Sequence, residues 1–198
     1  MSRSHRPAPH RRAIPRLAAA ALVAVAMGVP AVARAQDVLD AKAAAYLRTH
    51  YVADLDSVHT KIMALANAIP EDKYSWRPAP GVRSISEALM HVAGEWYFFA
   101  PMSVGGKAPA DFGPPRESLP KLEKITTKSE VLAELEKSWA HCKQQMTSVD
   151  PATLTGKYKP WDVTLAEGAF VMAGDLNQHL GQLIAYARSV GVKPPWSK

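Results

Sequence analysis

Hydrophobic residues recur at helical spacing in four segments of the chain: residues 37–69, 84–100, 127–149 and 164–190. In each segment the apolar positions are three or four residues apart, which places them on one face of an α-helix. Proline or glycine follows each segment closely and ends the helix. No segment shows the alternation of apolar and polar residues that indicates a half-buried strand. The pattern therefore predicts an all-α fold, a four-helix bundle.

The same pattern predicts the core and the helix starts. Ser84, Thr127 and Thr164 each precede a glutamate by three residues, which is the spacing of a capping box. Residues 101–126 hold five prolines and three glycines, so a long irregular connection is expected there. Cys142, the only cysteine, is predicted to be a small core residue. The predicted apolar stripes are Leu47, Tyr51, Leu55, Val58, Ile62, Leu65 and Ile69; Ile85, Leu89, Val92, Trp96 and Phe99; Val131, Leu135, Trp139, Cys142, Met146 and Val149; and Met172, Leu176, Leu183, Ala187 and Val190.

Two polar residues lie on the apolar face of the fourth segment. His179 falls within its stripe, and Asp175 precedes His179 by four residues, about one turn or roughly 6 Å along the helix axis. Burying such groups without partners is unfavourable, so they need hydrogen bonds, an opposite charge or a metal ion. These residues alone leave both an Asp–His core pair and a metal site open. Gly181, nearby, is expected to let another helix approach closely.

The first 35 residues differ from the rest of the chain. They contain six arginines and no acidic residue, with an apolar run from Leu17 to Val29 and an Ala-x-Ala pattern at residues 33–35. A basic start, an apolar run too short for a comfortable membrane span and such a cleavage pattern predict a secretory signal peptide. We therefore expect a signal peptide at residues 1–35, cleaved before Gln36, and one helical domain at residues 36–198.

This expected cleavage changes the charge argument. The whole chain has 24 basic and 18 acidic residues, a formal net charge of +6, but six of the basic residues lie in the first 35. The remainder is neutral, so it offers no support for binding nucleic acid or an anionic membrane surface. We expect a periplasmic or secreted protein. The sequence is compatible with a homodimer and does not fix the oligomeric state. Arg11 and Arg12 leave twin-arginine export open beside the general route.

Two stretches of the sequence carry a resemblance to a known family. They are WRPAPGVRSISEALMHVAGE at residues 76–95 and DLNQHLGQLIAYARSVGVKPPWS at residues 175–197. They resemble the DinB/YfiT-like family of metalloenzymes, and the resemblance extends from Leu47 to Trp196. It implies a four-helix bundle of up-down-down-up topology, in agreement with the long connection between the second and third helices.

The resemblance also implies a metal site. Family members bind a divalent metal through one histidine of the second helix and an HxxxH pair of the fourth, and the matching positions here are His91, Asp175 and His179. Asp175 stands where most members have histidine, although the mycothiol-dependent isomerases use a carboxylate there. Zinc is the expected metal, with nickel or ferrous iron as alternatives. Glu95 and Gln182 are expected to support the ligands.

Two functions are compatible with this sequence. The first is an exported metal-dependent enzyme, a thiol transferase or a hydrolase-like protein of unassigned small-molecule substrate. The metal would lower the pKa of a bound water or thiol and so generate a nucleophile. The second is a non-catalytic helical binding or stress module in which Asp175 and His179 only stabilise the core. Metal content distinguishes the two hypotheses.

Overall fold

The computed structural model describes residues 39–158 and 162–197. The predicted signal peptide lies outside these residues, so it stays a prediction. The helices of the described part are α1 (Ala41–Ala68), α2 (Ile85–Tyr97), α3 (Phe99–Met102), α4 (Pro115–Leu122), α5 (Lys128–Ser148) and α6 (Leu165–Ser189). None of the described helices combines the length and the apolar composition that a membrane crossing requires. The predicted all-α fold is confirmed.

Four long helices, α1, α2, α5 and α6, pack around one core. α1 contacts α5 and α6, and α2 contacts the same two helices. Each long helix therefore buries its apolar stripe between two neighbours. The predicted stripes are buried, except for the partly exposed end residues Leu47, Phe99, Val149 and Val190. The up-down-down-up order stays a prediction.

Side chains cap the starts of α2 and α6 as predicted. The Ser84 hydroxyl accepts a hydrogen bond from the backbone N–H of Glu87, and the Glu87 carboxylate accepts one from the backbone N–H of Ser84. The same arrangement opens α6. Thr127 does not cap α5 in this way, because its hydroxyl donates to the Glu130 carboxylate. Such caps stabilise a helix start by about 1 kcal/mol, and they define the starts of the two helices that carry the predicted ligands.

The connection between α2 and α5 is more ordered than predicted. The prediction of an irregular segment at residues 101–126 is wrong in part, because α4 and the end of α3 lie within it. Pro115 opens α4, a position where the missing N–H of proline has no helical partner to lose. α4 packs against α2 at Gly94, where a Cβ would lie 2.1 Å from Cδ2 of Leu119. Because glycine has no side chain, α4 can approach α2 closely at Gly94.

Two further details differ from the predictions. β1 (Lys157–Tyr158) pairs antiparallel with β2 (Val163–Thr164) just before α6. Strands of two residues are too short to show an alternating pattern in the sequence. The prediction for Gly181 is wrong, because it is exposed and no atom lies within 4 Å of the position that its Cβ would take.

Candidate metal centre

His91, Glu95 and His179 meet between α2 and α6. His91 and Glu95 are one helical turn apart on α2, so their side chains leave the helix on the same side. His179 faces them from α6, and the potential ligand atoms of the three residues all lie within 4.8 Å of one another. Two imidazoles and a carboxylate in this arrangement could hold a divalent metal ion and leave positions open for another ligand.

Glu95 lies at the centre of this cluster. Its Oε1 atom is 3.2 Å from Nε2 of His91 and 3.2 Å from Nε2 of His179. Glu95 is 4% exposed, and its other oxygen, Oε2, is buried without a hydrogen-bond partner among the described residues. A buried carboxylate oxygen without a partner is unfavourable, and a coordinated cation would satisfy it. The residues present therefore fit a divalent metal.

The electrostatics of the cluster keep Glu95 ionised. Burial acts to raise the pKa of Glu95, but the hydrogen bonds and charges of His179 and His91 together outweigh it and lower the pKa to about 2. In return, the hydrogen bond to Glu95 raises the pKa of His179 against the opposite effect of burial. A negative charge is therefore present between the two imidazoles across the neutral pH range, as a cation site requires.

Asp175, one of the predicted ligands, lies at the edge of the cluster. Its Oδ2 atom is 4.0 Å from Nε2 of His179, and its side chain is 44% exposed. Burial and the nearby negative charge of Glu95 raise the pKa of Asp175, as expected for two carboxylates that share a small volume. The structure thus brings His91 and His179 together with Glu95, and it leaves Asp175 beside His179 at the edge of the cluster. The role of Asp175 as a ligand stays a prediction.

The outward-facing nitrogens of the two histidines have polar neighbours of their own. Oε1 of Glu123 lies 3.4 Å from Nδ1 of His91, an ion-pair distance without hydrogen-bond alignment. Oε1 of Gln182 lies 3.2 Å from Nδ1 of His179. In the metal-free cluster each Nε2 faces Oε1 of Glu95 and can donate to it. With a metal bound, an acceptor beside Nδ1 would favour the tautomer with the proton on Nδ1, which frees the Nε2 lone pair for the metal. The contact with Gln182 thereby orients the His179 ring for a ligand role through Nε2, whereas Nδ1 of His91 is buried without a hydrogen-bond partner among the described residues.

Sequence reasoning identified some of these residues and missed others. Glu95 and Gln182 were expected as supporting residues, because each follows a predicted ligand at helical spacing. Gln182 supports His179, because its side chain accepts from Nδ1 of that histidine and is itself held by a hydrogen bond that it donates to the hydroxyl of Tyr186 at 2.9 Å. Glu123 was missed because it follows α4 in the segment predicted to be irregular. Glu123 also accepts a hydrogen bond at 2.9 Å from Nε of Arg83 through Oε1.

This geometry coincides with a family assignment. Residues 54–183 match the family described as the DinB superfamily. The chain belongs to the DinB superfamily. No curated protein matches it. The matched region of this DinB protein includes every residue of the cluster, from His91 on α2 to His179 on α6, so the resemblance noted in the sequence is confirmed.

Proposed function

We propose that this DinB protein is a metal-dependent enzyme that holds a divalent ion with His91, His179 and Glu95. The observation that carries the proposal is the position of Glu95, whose Oε1 lies 3.2 Å from both Nε2 atoms. Its buried Oε2, without a hydrogen-bond partner in the described part of the chain, supports the same conclusion. Zinc fits a set of two histidines and one glutamate first, with nickel or ferrous iron as alternatives.

The reaction that we propose is a thiol transfer or a hydrolysis on a small molecule. When bound, a divalent ion supplies Lewis-acid chemistry and lowers the pKa of a nucleophile that it binds. Gln182 holds the His179 imidazole in place through Nδ1, and Glu123 places a negative charge beside the His91 imidazole. Asp175 is exposed at the edge of the cluster, where it can either complete the coordination or accept a proton from a bound reactant.

Metal content of the purified protein tests this proposal. We expect about one equivalent of zinc in the wild type, by the one-site geometry, and loss of zinc in His91→Ala and in His179→Ala. His59→Ala is a matched control, because its side chain is 14% exposed against 19% and 18% for the other two histidines. The His59 ring stacks on Trp139, with ring centroids 4.7 Å apart, and is not part of the cluster, so this variant should keep its metal.

The opposite result supports the second hypothesis, a non-catalytic helical module. A wild-type protein that takes up neither zinc, nickel nor ferrous iron would leave the cluster as a buried polar network. In that case His179→Ala should lower the melting temperature without any change in metal content.

We also propose that the protein is exported and cleaved before Gln36. The arginine-rich start, the apolar run from Leu17 to Val29 and the Ala-x-Ala pattern support this proposal. N-terminal sequencing and intact mass of the protein from fractionated cells test it, and we expect a chain that begins at Gln36 outside the cytoplasm. A product that retains Leu17 to Val29 would instead indicate a membrane anchor.

A further inference from the structure

A cavity of about 610 Å³ lies beside the candidate metal centre. Glu87 and Gln182 line it, and they lie one helical turn from His91 on α2 and from His179 on α6, respectively. Glu123 also lines the cavity and lies 3.4 Å from Nδ1 of His91. Its volume falls within the range of small-molecule sites, about 300–1,000 Å³. A molecule in this cavity would therefore lie against Glu123 and Gln182, which neighbour the Nδ1 atoms of the two candidate histidines.

Two arginines from the connection between α1 and α2 line this cavity. Arg77 is already engaged on two sides, because it donates to Oε1 of Glu87 at 2.9 Å and to the carbonyl oxygen of Val82 at 2.7 Å. Arg83 donates only through Nε, to Glu123 at 2.9 Å. Within the described part of the chain, the Nη1 and Nη2 groups of Arg83 have no hydrogen-bond partner. Arg83 therefore has N–H groups available to bind a ligand, whereas Arg77 is engaged with two protein groups.

Glu123 orients Arg83 without using up its capacity to bind an anion. A guanidinium has five N–H donors in a planar fork, and the contact with Glu123 uses one of them. The two side chains are 43% and 25% exposed, so water weakens their mutual attraction. An arginine that is already oriented loses less side-chain freedom when it binds a ligand. Its Nη1 and Nη2 groups match the two oxygens of a carboxylate or phosphate.

The rest of the lining favours a hydrophilic ligand. Among the described residues that line the cavity, Val82 provides the one aliphatic side chain, beside charged groups, Gly81 and the amide of Gln182. The carboxylates of Glu87 and Glu123 are each paired with an arginine. Because both carboxylates are paired, the unpaired N–H groups of Arg83 make the cavity favour an anion over a cation.

We propose that this cavity binds the anionic end of the substrate, which is a small organic molecule with a carboxylate or a phosphate group held by Arg83. The inference rests on the proposed function, because it takes the bound anion to be part of the substrate of the proposed metal-dependent enzyme. Arg83 would then select the substrate by its charge, since it can bind an anion without direct contact with the metal ligands.

Titrations with succinate and with inorganic phosphate test this proposal, with neutral succinamide as the uncharged comparison. Binding is followed by backbone amide chemical shifts in the full-chain protein, with and without zinc. We expect one of the two anions to bind, which distinguishes a carboxylate site from a phosphate site, and succinamide not to bind. In Arg83→Gln the affinity for that anion should fall at least about tenfold, or about 1.4 kcal/mol.

Two variants serve as controls. Arg116→Gln removes the same charge from an exposed position of α4 outside the cavity lining and should bind the anion like the wild type. Arg83→Lys keeps the charge but lacks the planar pair of donors, so its affinity should lie between those of the wild type and Arg83→Gln. Arg83→Lys also provides a result if Arg83→Gln does not fold, which circular dichroism would show.

The outcomes separate this inference from the proposed function. Zinc uptake together with equal anion affinity in the wild type and Arg83→Gln would overturn the inference alone. The absence of binding by either anion to the zinc-loaded wild type would overturn it as well. Anion binding that depends on Arg83, in a protein that takes up no divalent metal, would support the anion site and refute the metal-dependent function.

Discussion

At the scale of single residues, Glu95 accounts for the arrangement of the candidate centre. It is a buried carboxylate, and such groups are stable in a protein interior only with strong partners. Its partners are the two histidines, and its second oxygen is buried without a hydrogen bond within the described residues. A divalent ion would take the place of the protons that now lie between Glu95 and the imidazoles.

Substitutions at two acidic positions should have unequal effects on zinc binding. Glu95→Gln removes the charged oxygen nearest both Nε2 atoms, so we expect zinc affinity to fall by more than about 100-fold, the upper end for residues outside the ligand set. Asp175→Asn should lower it by about tenfold or less, because Asp175 is half exposed at the edge. Asp175→His should strengthen binding, since it creates an HxxxH pair. Competition with a chelating dye measures all three.

The reverse order would reassign the ligands. If Asp175→Asn loses zinc while Glu95→Gln keeps it, Asp175 is the third ligand, as the family resemblance implies, and Glu95 only supports the histidines. Equal metal content in the wild type and both variants would exclude both carboxylates from the coordination sphere.

Cys142 should be chemically silent in the folded protein. It is buried, burial raises the pKa of its thiol, and its Sγ lies 3.9 Å from Sδ of Met146. A thiol-specific reagent should therefore react with Cys142 only after unfolding. Cys142→Ala should lower the free energy of unfolding by about 1–2 kcal/mol through lost packing, with zinc content unchanged. Rapid labelling of the native protein, or loss of zinc in this variant, would contradict a purely structural role.

Prediction from the sequence works best for residues whose partners are near in the chain. His179 and Asp175 share a helix face, and the spacing of Glu95 from His91 indicates another shared face. That Glu95 points at both imidazoles depends on how α2 packs against α6, which no local pattern encodes. Glu123 lies 32 residues after His91, and only the path of the connection brings the two together.

At the scale of elements, α4 positions Glu123 through its contact with α2. A substitution at the contact point tests this link. Gly94→Ala would bring a Cβ within 2.1 Å of Cδ2 of Leu119, the end of a flexible and partly exposed side chain. Leu119 must take another conformation or α4 must move, so the gain in helix propensity should be lost and the protein destabilised by about 1 kcal/mol. Gly181→Ala is the matched control in α6, because its position is open, and it should stabilise by up to about 1 kcal/mol. Urea unfolding measures both.

The same pair of variants reports on the site. If α4 moves away in Gly94→Ala, Glu123 leaves His91 and zinc affinity should also fall, whereas Gly181→Ala should bind zinc normally. A Gly94→Ala protein as stable as the wild type would show that Leu119 can adopt another conformation without cost.

The long helices are predictable from the sequence, whereas the short helix α4 is not. The stripes of the four long helices extend over several turns, so their period identifies both the helix and its buried face. α4 has only eight residues, and Pro120 within it obscures the helical pattern. The proline at its first position is the available signal, but a proline in a segment rich in proline and glycine is equally typical of a loop.

At the scale of the whole molecule, the lowered pKa of Glu95 makes stability depend on pH. Despite its burial, Glu95 has a pKa of about 2 against an ordinary value of 4.5, because the histidines favour its charged form. Its contribution to the stability of the metal-free protein is therefore complete above pH 4.5 and is lost as the pH falls towards 2. We expect the free energy of unfolding to decrease across this window, and to decrease less in Glu95→Gln.

The acidic range gives the clearest test of this dependence. Near neutral pH two histidines act in opposite directions. The raised pKa of His179 stabilises the folded state below pH 6.5. Burial lowers the pKa of His59, so His59 makes the folded state lose stability as the pH falls below 6.5. Urea unfolding at several acidic pH values compares the two metal-free proteins. Parallel curves for the wild type and Glu95→Gln would contradict the assigned role of Glu95.

The contact between α1 and α6 has a consequence for the order in which this molecule can be assembled. These are the first and last helices of the described chain, yet they pack side by side. During synthesis, α1 has no α6 to cover its apolar face until the ribosome has passed residue 189. The candidate ligands obey the same constraint, because His91 and Glu95 emerge long before His179. A nascent chain therefore lacks the complete group of His91, Glu95 and His179 until α6 is made, and only then can the four long helices pack together.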